Sequence, residues 1–331
     1  MIDLRTEYMG LSLKNPIIVG ASPLTASQDS IKWLEDAGAA AVVLHSVFEE
    51  QINHEHHEID HFLFKGSESY AEAVGYFPDV ELSNLESEHY LNEILALKRS
   101  VDIPIIASLN GVSEGGWIRY AEQLEEAGAD GLELNITYIP SDFDLDGREI
   151  EKLYTDALEA VIATVKIPVA VKMNAYFSAP ANMAKRFSDI GAKGLMLFDR
   201  PVQVDINLEE LISSPHVNPS RSQDLSESLR WSAILYNRVS ASLCASNGVH
   251  THEDILKAMM SGADAVQMVT ALMEHGEGYV AKVLSQLEAW MQEKEYDSIA
   301  QMKGSISLQH TSNPAAYQRA NYMRILSEYR F

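Results

Sequence analysis

Short apolar runs alternate along the chain with stretches of helical periodicity. Residues 33–39 lead into Ala41-Val42-Val43-Leu44, and residues 124–129 into Leu132-Glu133-Leu134. Residues 187–192 lead into Leu195-Met196-Leu197, and residues 259–263 into Ala265-Val266-Gln267-Met268. Each unit reads as a helix stopped at a glycine (Gly38, Gly128, Gly191, Gly262), where the left-handed turn after a helix is easiest, followed by a short buried strand. A second signature opens two further strands: Val101-Asp102-Ile103-Pro104 and Val165-Lys166-Ile167-Pro168. Proline ends the preceding helix and is tolerated at a strand's first residue.

The pattern predicts strands near residues 16–22, 40–46, 104–110, 131–137, 168–174, 194–199, 241–246 and 265–270, with helices between nearly all of them. Eight alternations of buried strand and helix define an α/β chain of the (β/α)8 TIM-barrel type. Three connections run long, at about residues 47–84, 138–147 and 200–224. Each follows a strand and precedes a helix, so these insertions belong at the C-terminal face, where such barrels carry their active sites. No low-complexity linker interrupts the chain, so residues 1–331 are expected to form a single domain, with a C-terminal helical extension from about residue 298 to 331.

Composition narrows the class. A length of 331 residues suits one large barrel, and 46% hydrophobic with 22% charged residues excludes wholesale disorder. Lys and Arg total 25 against 48 Asp and Glu, a net charge of 25 − 48 = −23, which argues against nucleic acid and anionic membranes as partners. One cysteine excludes an internal disulfide, a cysteine-based zinc site and a protein-bound iron–sulfur cluster. The opening Met1-Ile2-Asp3-Leu4-Arg5 does not read as a signal peptide, and the apolar runs are too short to span a bilayer. A soluble, cytoplasmic protein is expected.

The predicted strand ends carry a ring of polar residues. In order these are Ala21-Ser22, His45-Ser46, Ser108-Leu109-Asn110, Asn135-Ile136-Thr137-Tyr138, Lys172-Met173-Asn174, Asp199-Arg200, Ser246-Asn247-Gly248 and Thr270. Together they suit a large polar ligand. Lys172 is the most telling, because an ammonium on the apolar strand of Ala170-Val171 needs an anion or an electron-rich ligand beside it. Thr251 with Asp254 reads as a capping box, starting a helix just after Ser246-Asn247-Gly248. Its N-terminus offers N–H groups to a phosphate, a recurring device after the seventh and eighth strands of these barrels.

One motif points elsewhere. His57-Glu58-Ile59-Asp60-His61 fits the H-E-x-x-H pattern of zinc hydrolases, with His54 and His56 nearby. That chemistry needs a long helix presenting both histidines on one face, and the stretch opens an insertion that reads instead as a polar loop over the barrel mouth. No metal site is therefore expected, and a zinc hydrolase stays as an alternative. Cys244 lies inside the seventh strand and reads as a small core residue.

These residues, taken in order, resemble the dihydroorotate dehydrogenase family, nearest its soluble class 1 branch and the related dihydropyrimidine dehydrogenase barrel. The matching stretches are Asn15-Pro16 with Ala21-Ser22, Glu133-Leu134-Asn135, Val171-Lys172-Met173 with Tyr176-Phe177, Ser246-Asn247-Gly248-Val249, and Ser261 to Leu272. The resemblance implies an FMN lying across the barrel mouth and hydride transfer to it from dihydroorotate or a related dihydropyrimidine. By position, Ala21, Ser22 and Ser46 would line the ring, and Asn110 and Asn135 would bond to it. Lys172 would face its N1 and O2 edge, while Asn247, Gly248, Val269 and Thr270 would hold the phosphate. A small-molecule substrate, an electron acceptor that the chain does not name, and a homodimer are implied with it.

The departures fall on the substrate side. Where the family carries Cys or Ser as the base, this chain has Tyr138, a phenol whose ordinary pKa of about 10 makes it a poor base at neutral pH. Pro140 lies where a further asparagine is expected, Phe198-Asp199 where an Asn-Ser pair grips the pyrimidine, and His45 where a lysine is common. Asn247 takes the place of one phosphate-loop glycine. His45, Thr137, Asn174, Asp199 and Arg200 are the candidates for a rewritten substrate site, with Tyr138 as acid/base. A flavin-binding barrel with a non-enzymatic or accessory role is the competing expectation.

Overall fold

The computed structural model describes residues 2–49, 86–111, 116–198, 203–216 and 218–318, together with Ser327. The chain opens with an antiparallel hairpin, β1 (Thr6–Tyr8) and β2 (Leu11–Leu13). Eight strands then close into a parallel barrel: β3 (Ile17–Val19), β4 (Ala41–Phe48), β5 (Ile105–Asn110), β6 (Gly131–Asn135), β7 (Val169–Met173), β8 (Gly194–Leu197), β11 (Ser242–Ala245) and β12 (Ala265–Met268). All eight lie where the alternating pattern predicts them. The chain order of strands is also their order around the barrel, with β12 returning to β3.

Helices fill the connections among the described residues, among them Gln28–Asp36, Gly116–Glu126, Gly147–Thr164, Pro180–Ile190 and His252–Ser261. Their buried faces, such as Ile31 with Leu34 and Tyr154 with Leu158 and Val161, pack on the outward side chains of the strands. Gly191 and Gly262, both at positive φ, end their helices as the sequence pattern requires. The connection after β8 contains an element that the periodicity does not reveal. Here β9 (Gln203–Asn207) and β10 (Ile212–His216) pair as a separate antiparallel hairpin, with Val204 and Ile206 exposed. Among the described residues beyond Ser298, Ile299–Met302 and Ala315–Gln318 form short helices joined by turns. This segment lies against the helices behind β11 and β12, donating from the N–H groups of Gly304 and Leu308 to the carbonyls of Met259 and Ala233 at 2.9 Å.

Inside the barrel the chain builds two layers. The lower one is apolar: Tyr8 and Met9 from the opening hairpin insert among Ile18, Ala41, Val43, Ile106, Ala170, Met196, Cys244 and Ala265. Small residues on the strands make the room. A Cβ on Gly194 would stand 2.7 Å from Met9 Cγ and 2.8 Å from Tyr8 Oη, so the hairpin plug dictates glycine there. Burial pushes the Tyr8 phenol and the Cys244 thiol well above their ordinary pKa values, keeping both neutral. Cys244 is thus the core residue that its place in the sequence suggests.

Gly194→Ala is accordingly expected to destabilise the barrel by about 1–3 kcal/mol, the usual cost of overpacking a filled core. Urea unfolding checks this, and an unchanged midpoint would show that the plug yields without cost.

Candidate active site

The upper layer of the barrel interior is polar. Residues alternate in and out along each strand, so Glu133 and Asn135 share the inward face of β6, as Ala170 and Lys172 do on β7. Strand register sets Asn110, Asn135 and Lys172 side by side across β5, β6 and β7. Ser46 and Ser108 are likewise paired across β4 and β5, their hydroxyls 2.8 Å apart.

Lys172 finds its anion within the barrel. Its Nζ lies 3.4 Å from Oε1 of Glu133, a carboxylate only 1% exposed. Gln267, pointing inward from β12, donates through Nε2 to the other oxygen, Oε2. Three polar side chains from three strands thus meet where an isolated charge would be very costly, the Glu133 carboxylate hydrogen-bonded through Oε2 and facing the ammonium through Oε1 as an ion pair. Deleting one partner of such a buried pair typically costs about 3–5 kcal/mol.

Above this cluster opens a cavity of about 520 Å³, within the roughly 300–1,000 Å³ range typical of cofactor and ligand sites. Lys172 and Gln267 reach it from the strands, with Ala21, Met196 and Phe198 as apolar walls. Asn247, Gly248, Val269 and Thr270 line it from the loops after β11 and β12.

The loop after β11 is tightly specified. Asn247 adopts φ 61° and Gly248 φ 114°. Asparagine is among the few residues that tolerate this left-handed region, which explains how Asn247 stands at a glycine position. Gly248 has no substitute, since a Cβ there would meet Leu225 N at 2.5 Å and Arg221 O at 2.7 Å. Asp254 then fixes the exit. Its Oδ2 accepts from the backbone N–H groups of His250 (3.1 Å) and Thr251 (3.0 Å) and from the hydroxyls of Thr251 (3.0 Å) and Ser222 (2.8 Å). The capping box expected from Thr251 and Asp254 is present at the start of His252–Ser261. Among the described residues no protein acceptor takes the N–H groups of Asn247, Gly248 or Val249. Asn247 Oδ1 and Ser22 Oγ are also buried without a hydrogen-bond partner. Left so, each such atom costs about 1–3 kcal/mol, which a polar ligand would relieve.

The remaining predicted residues divide. His45 packs edge-on against Tyr90, centroids 4.8 Å apart. Asn135 accepts from the Thr137 hydroxyl at 3.0 Å, and Thr137 itself is exposed. Tyr138 is half-buried against the core. Asn174 uses both ends of its amide within the chain, donating to Tyr154 Oη and accepting from Tyr176 N, each at 2.9 Å. Asp199 and Arg200, and His57, Glu58 and His61 of the zinc-like motif, lie outside the described residues. Among the described residues no group of three or more His, Cys, Asp or Glu is placed to hold a metal ion, and no helix is long and apolar enough to cross a membrane.

Several lining residues escape a reading of strand ends. Gln267 and Glu133 carry the same signal as Lys172, a polar group on an apolar strand, one turn of the pleat deeper. Ser220 follows the unforeseen hairpin, and its hydroxyl bonds to Thr270 Oγ1 at 3.1 Å and contacts His250 Nε2 at 3.2 Å. Nothing in the local sequence marks it.

Comparison with known proteins places this architecture. The dihydroorotate dehydrogenase family profile matches residues 3–291, and the chain belongs to that family. It is 26% identical over 314 residues to the catalytic subunit of dihydroorotate dehydrogenase B (NAD(+)) of Thermoplasma volcanium, covering 92% of this chain and 98% of that one. The same-named subunit of Methanothermobacter thermautotrophicus is 25% identical, over 91% of this chain and 97% of its own. The NAD-dependent dihydropyrimidine dehydrogenase subunit PreA of Escherichia coli is 24% identical, over 91% of this chain and 76% of its own. These relatives are by name dehydrogenases, and the likeness places the chain in a family of oxidoreductases.

Asp254→Ala removes the anchor of the loop after β11. The expected loss is about 1–2 kcal/mol in thermal or urea unfolding, the usual worth of a helix cap. Hydrogen exchange should meanwhile speed up at residues 247–251, and unchanged protection there would mean that Gly248 packing alone holds the loop.

Proposed function

We propose that this chain binds FMN in the cavity at the strand ends and oxidises a small dihydropyrimidine-type substrate, with dihydroorotate the first to test. The observation that carries the reading is the pairing, across one cavity, of a buried lysine at its inner end with unclaimed backbone N–H groups at its outer loops. That donor set matches a ring with an electron-rich edge joined to a phosphate. Bound there, FMN would supply the hydride acceptor, chemistry that no side chain of the protein offers.

In this reading the N–H groups of Asn247, Gly248 and Val249 and the hydroxyls of Thr270 and Ser220 hold the phosphate. The positive end of the helix capped by Thr251 lies behind that loop. Val269, Ala21 and Ser22 border the ring, Asn110, Asn135 and Ser46 bond along it, and Lys172 holds positive charge where negative charge develops on reduction. Tyr138 takes or gives the substrate proton, and His45, Thr137, Asn174, Asp199 and Arg200 make up the substrate side. Several relatives are named as subunits, which supports an acceptor carried by a separate chain. The homodimeric, cytoplasmic setting implied by the family resemblance completes the proposal.

A second reading, a flavin-binding barrel without turnover, is favoured by one observation, the tyrosine at the position of the family's base. An anaerobic visible spectrum before and after dihydroorotate separates the two. Yellow protein that bleaches supports the enzyme, and yellow protein that stays oxidised with dihydroorotate and other dihydropyrimidines supports the second reading. Colourless protein that FMN cannot reconstitute overturns both. Lys172→Ala should abolish flavin binding or its reduction. Tyr138→Phe should slow reduction by about 10²–10⁴-fold, the usual worth of an acid/base group, while leaving FMN bound.

A further inference from the structure

Among the described residues Glu133 is a buried acid held against two residues that line the cavity, Lys172 and Gln267, and the proposed chemistry does not use it. It is nearly inaccessible, its Oε1 faces the Lys172 ammonium at 3.4 Å, and its Oε2 is fixed by Gln267 from the far side of the barrel. We infer that Glu133 is a positioning residue: clamped by Gln267, it anchors the Lys172 ammonium at the floor of the cavity and keeps it charged. The inference deepens the flavin reading, since a lysine that lost its proton there would have no charge to set against a reduced ring.

The geometry supports this against a role in packing alone. A side chain chosen for packing here would be apolar, as Ala170, its register partner on β7, and Met196 and Cys244 farther round the barrel are. Glu133 and Gln267 instead form a polar bridge spanning the barrel from β6 to β12, and among the described residues the opposite charge that meets the bridge is Lys172. Desolvation alone drives a buried lysine toward its neutral amine, and an adjacent carboxylate opposes this. The other titratable groups of the barrel interior among the described residues cannot take Glu133's place. Cys244 on β11 and Tyr8 on the plug are both held neutral by burial, and Asp264 pairs with Lys303 at 2.6 Å.

The test reads the Lys172 amine directly. The purified full-length chain is acetylated with trace acetic anhydride across the neutral-to-alkaline range, with and without added FMN, and labelling of Lys172 is followed by mass spectrometry. Because only the neutral amine reacts, the midpoint of the profile reports how firmly the proton is held. In Glu133→Gln, isosteric and uncharged, neutral amine at a given pH should rise about tenfold or more, the usual effect of removing an opposite charge at this range. A profile that does not move, in protein with unchanged circular dichroism, overturns the proposal. Should Glu133→Gln fail to fold, Glu133→Asp retracts the carboxylate by one methylene. A smaller move in the same direction upholds the role, and none overturns it. Since labelling needs no flavin, a chain that refuses FMN yet shows the shift keeps Glu133 in place while the flavin reading falls. A chain that binds FMN with an unmoved profile does the reverse.

Discussion

A closed ring of eight parallel strands encloses a space that side chains must fill, and what fills it governs the rest of this molecule. The lower half is filled by apolar groups, with the opening hairpin driving Tyr8 and Met9 between small residues such as Gly194 and Ala170. The upper half is filled by Glu133, Lys172 and Gln267, which are tolerated there only because each answers another's charge or hydrogen bond. The boundary between these layers sets the floor of the cavity. It also fixes where a ligand stops and which group meets it first.

Order at the rim comes from a different source. Loops after strands are free to vary unless something ties them, and here a single carboxylate, Asp254, gathers four donors at the end of the loop after β11. The close approach of Gly248 to the backbone at Arg221 and Leu225 ties the same loop to the helix Leu225–Leu235. Backbone N–H groups held this way are preorganised, so an anion meeting them pays little to order the loop. Floor and rim are thus built independently, one by barrel register and the other by a helix cap.

This division explains what could be read from the sequence. The eight strands were legible because each is an apolar run, and most are preceded by a glycine stop or a proline start, signals that tertiary packing reinforces here. Lys172 was legible because a charge on an apolar strand demands a partner, although the partner itself, Glu133, was seen only as part of a matching stretch. The capping box at Thr251 was legible because its spacing is local. The β9–β10 hairpin was not, since Val204, Ile206 and Ile212 are exposed and their alternation serves no core. Ser220 was hidden with it, because its place beside Thr270 follows from that hairpin's path and from no pattern within its own neighbourhood.

The same division bears on how the family's pattern has been kept and lost along this chain. Positions proposed for the flavin side are mostly barrel-registered residues or backbone groups. Lys172 cannot change without stranding Glu133, and Gly248 cannot change without striking backbone. Among the positions proposed for the substrate side, those of the segment after β6, Thr137, Ile139 and Pro140, are exposed side chains past the strand end. Changing those disturbs no core packing and leaves no buried charge. Asn247, at a position where the family resemblance expects glycine, is admitted because asparagine is among the few side chains that enter the left-handed region at little cost. A barrel built this way can change its exposed rim while keeping its buried floor.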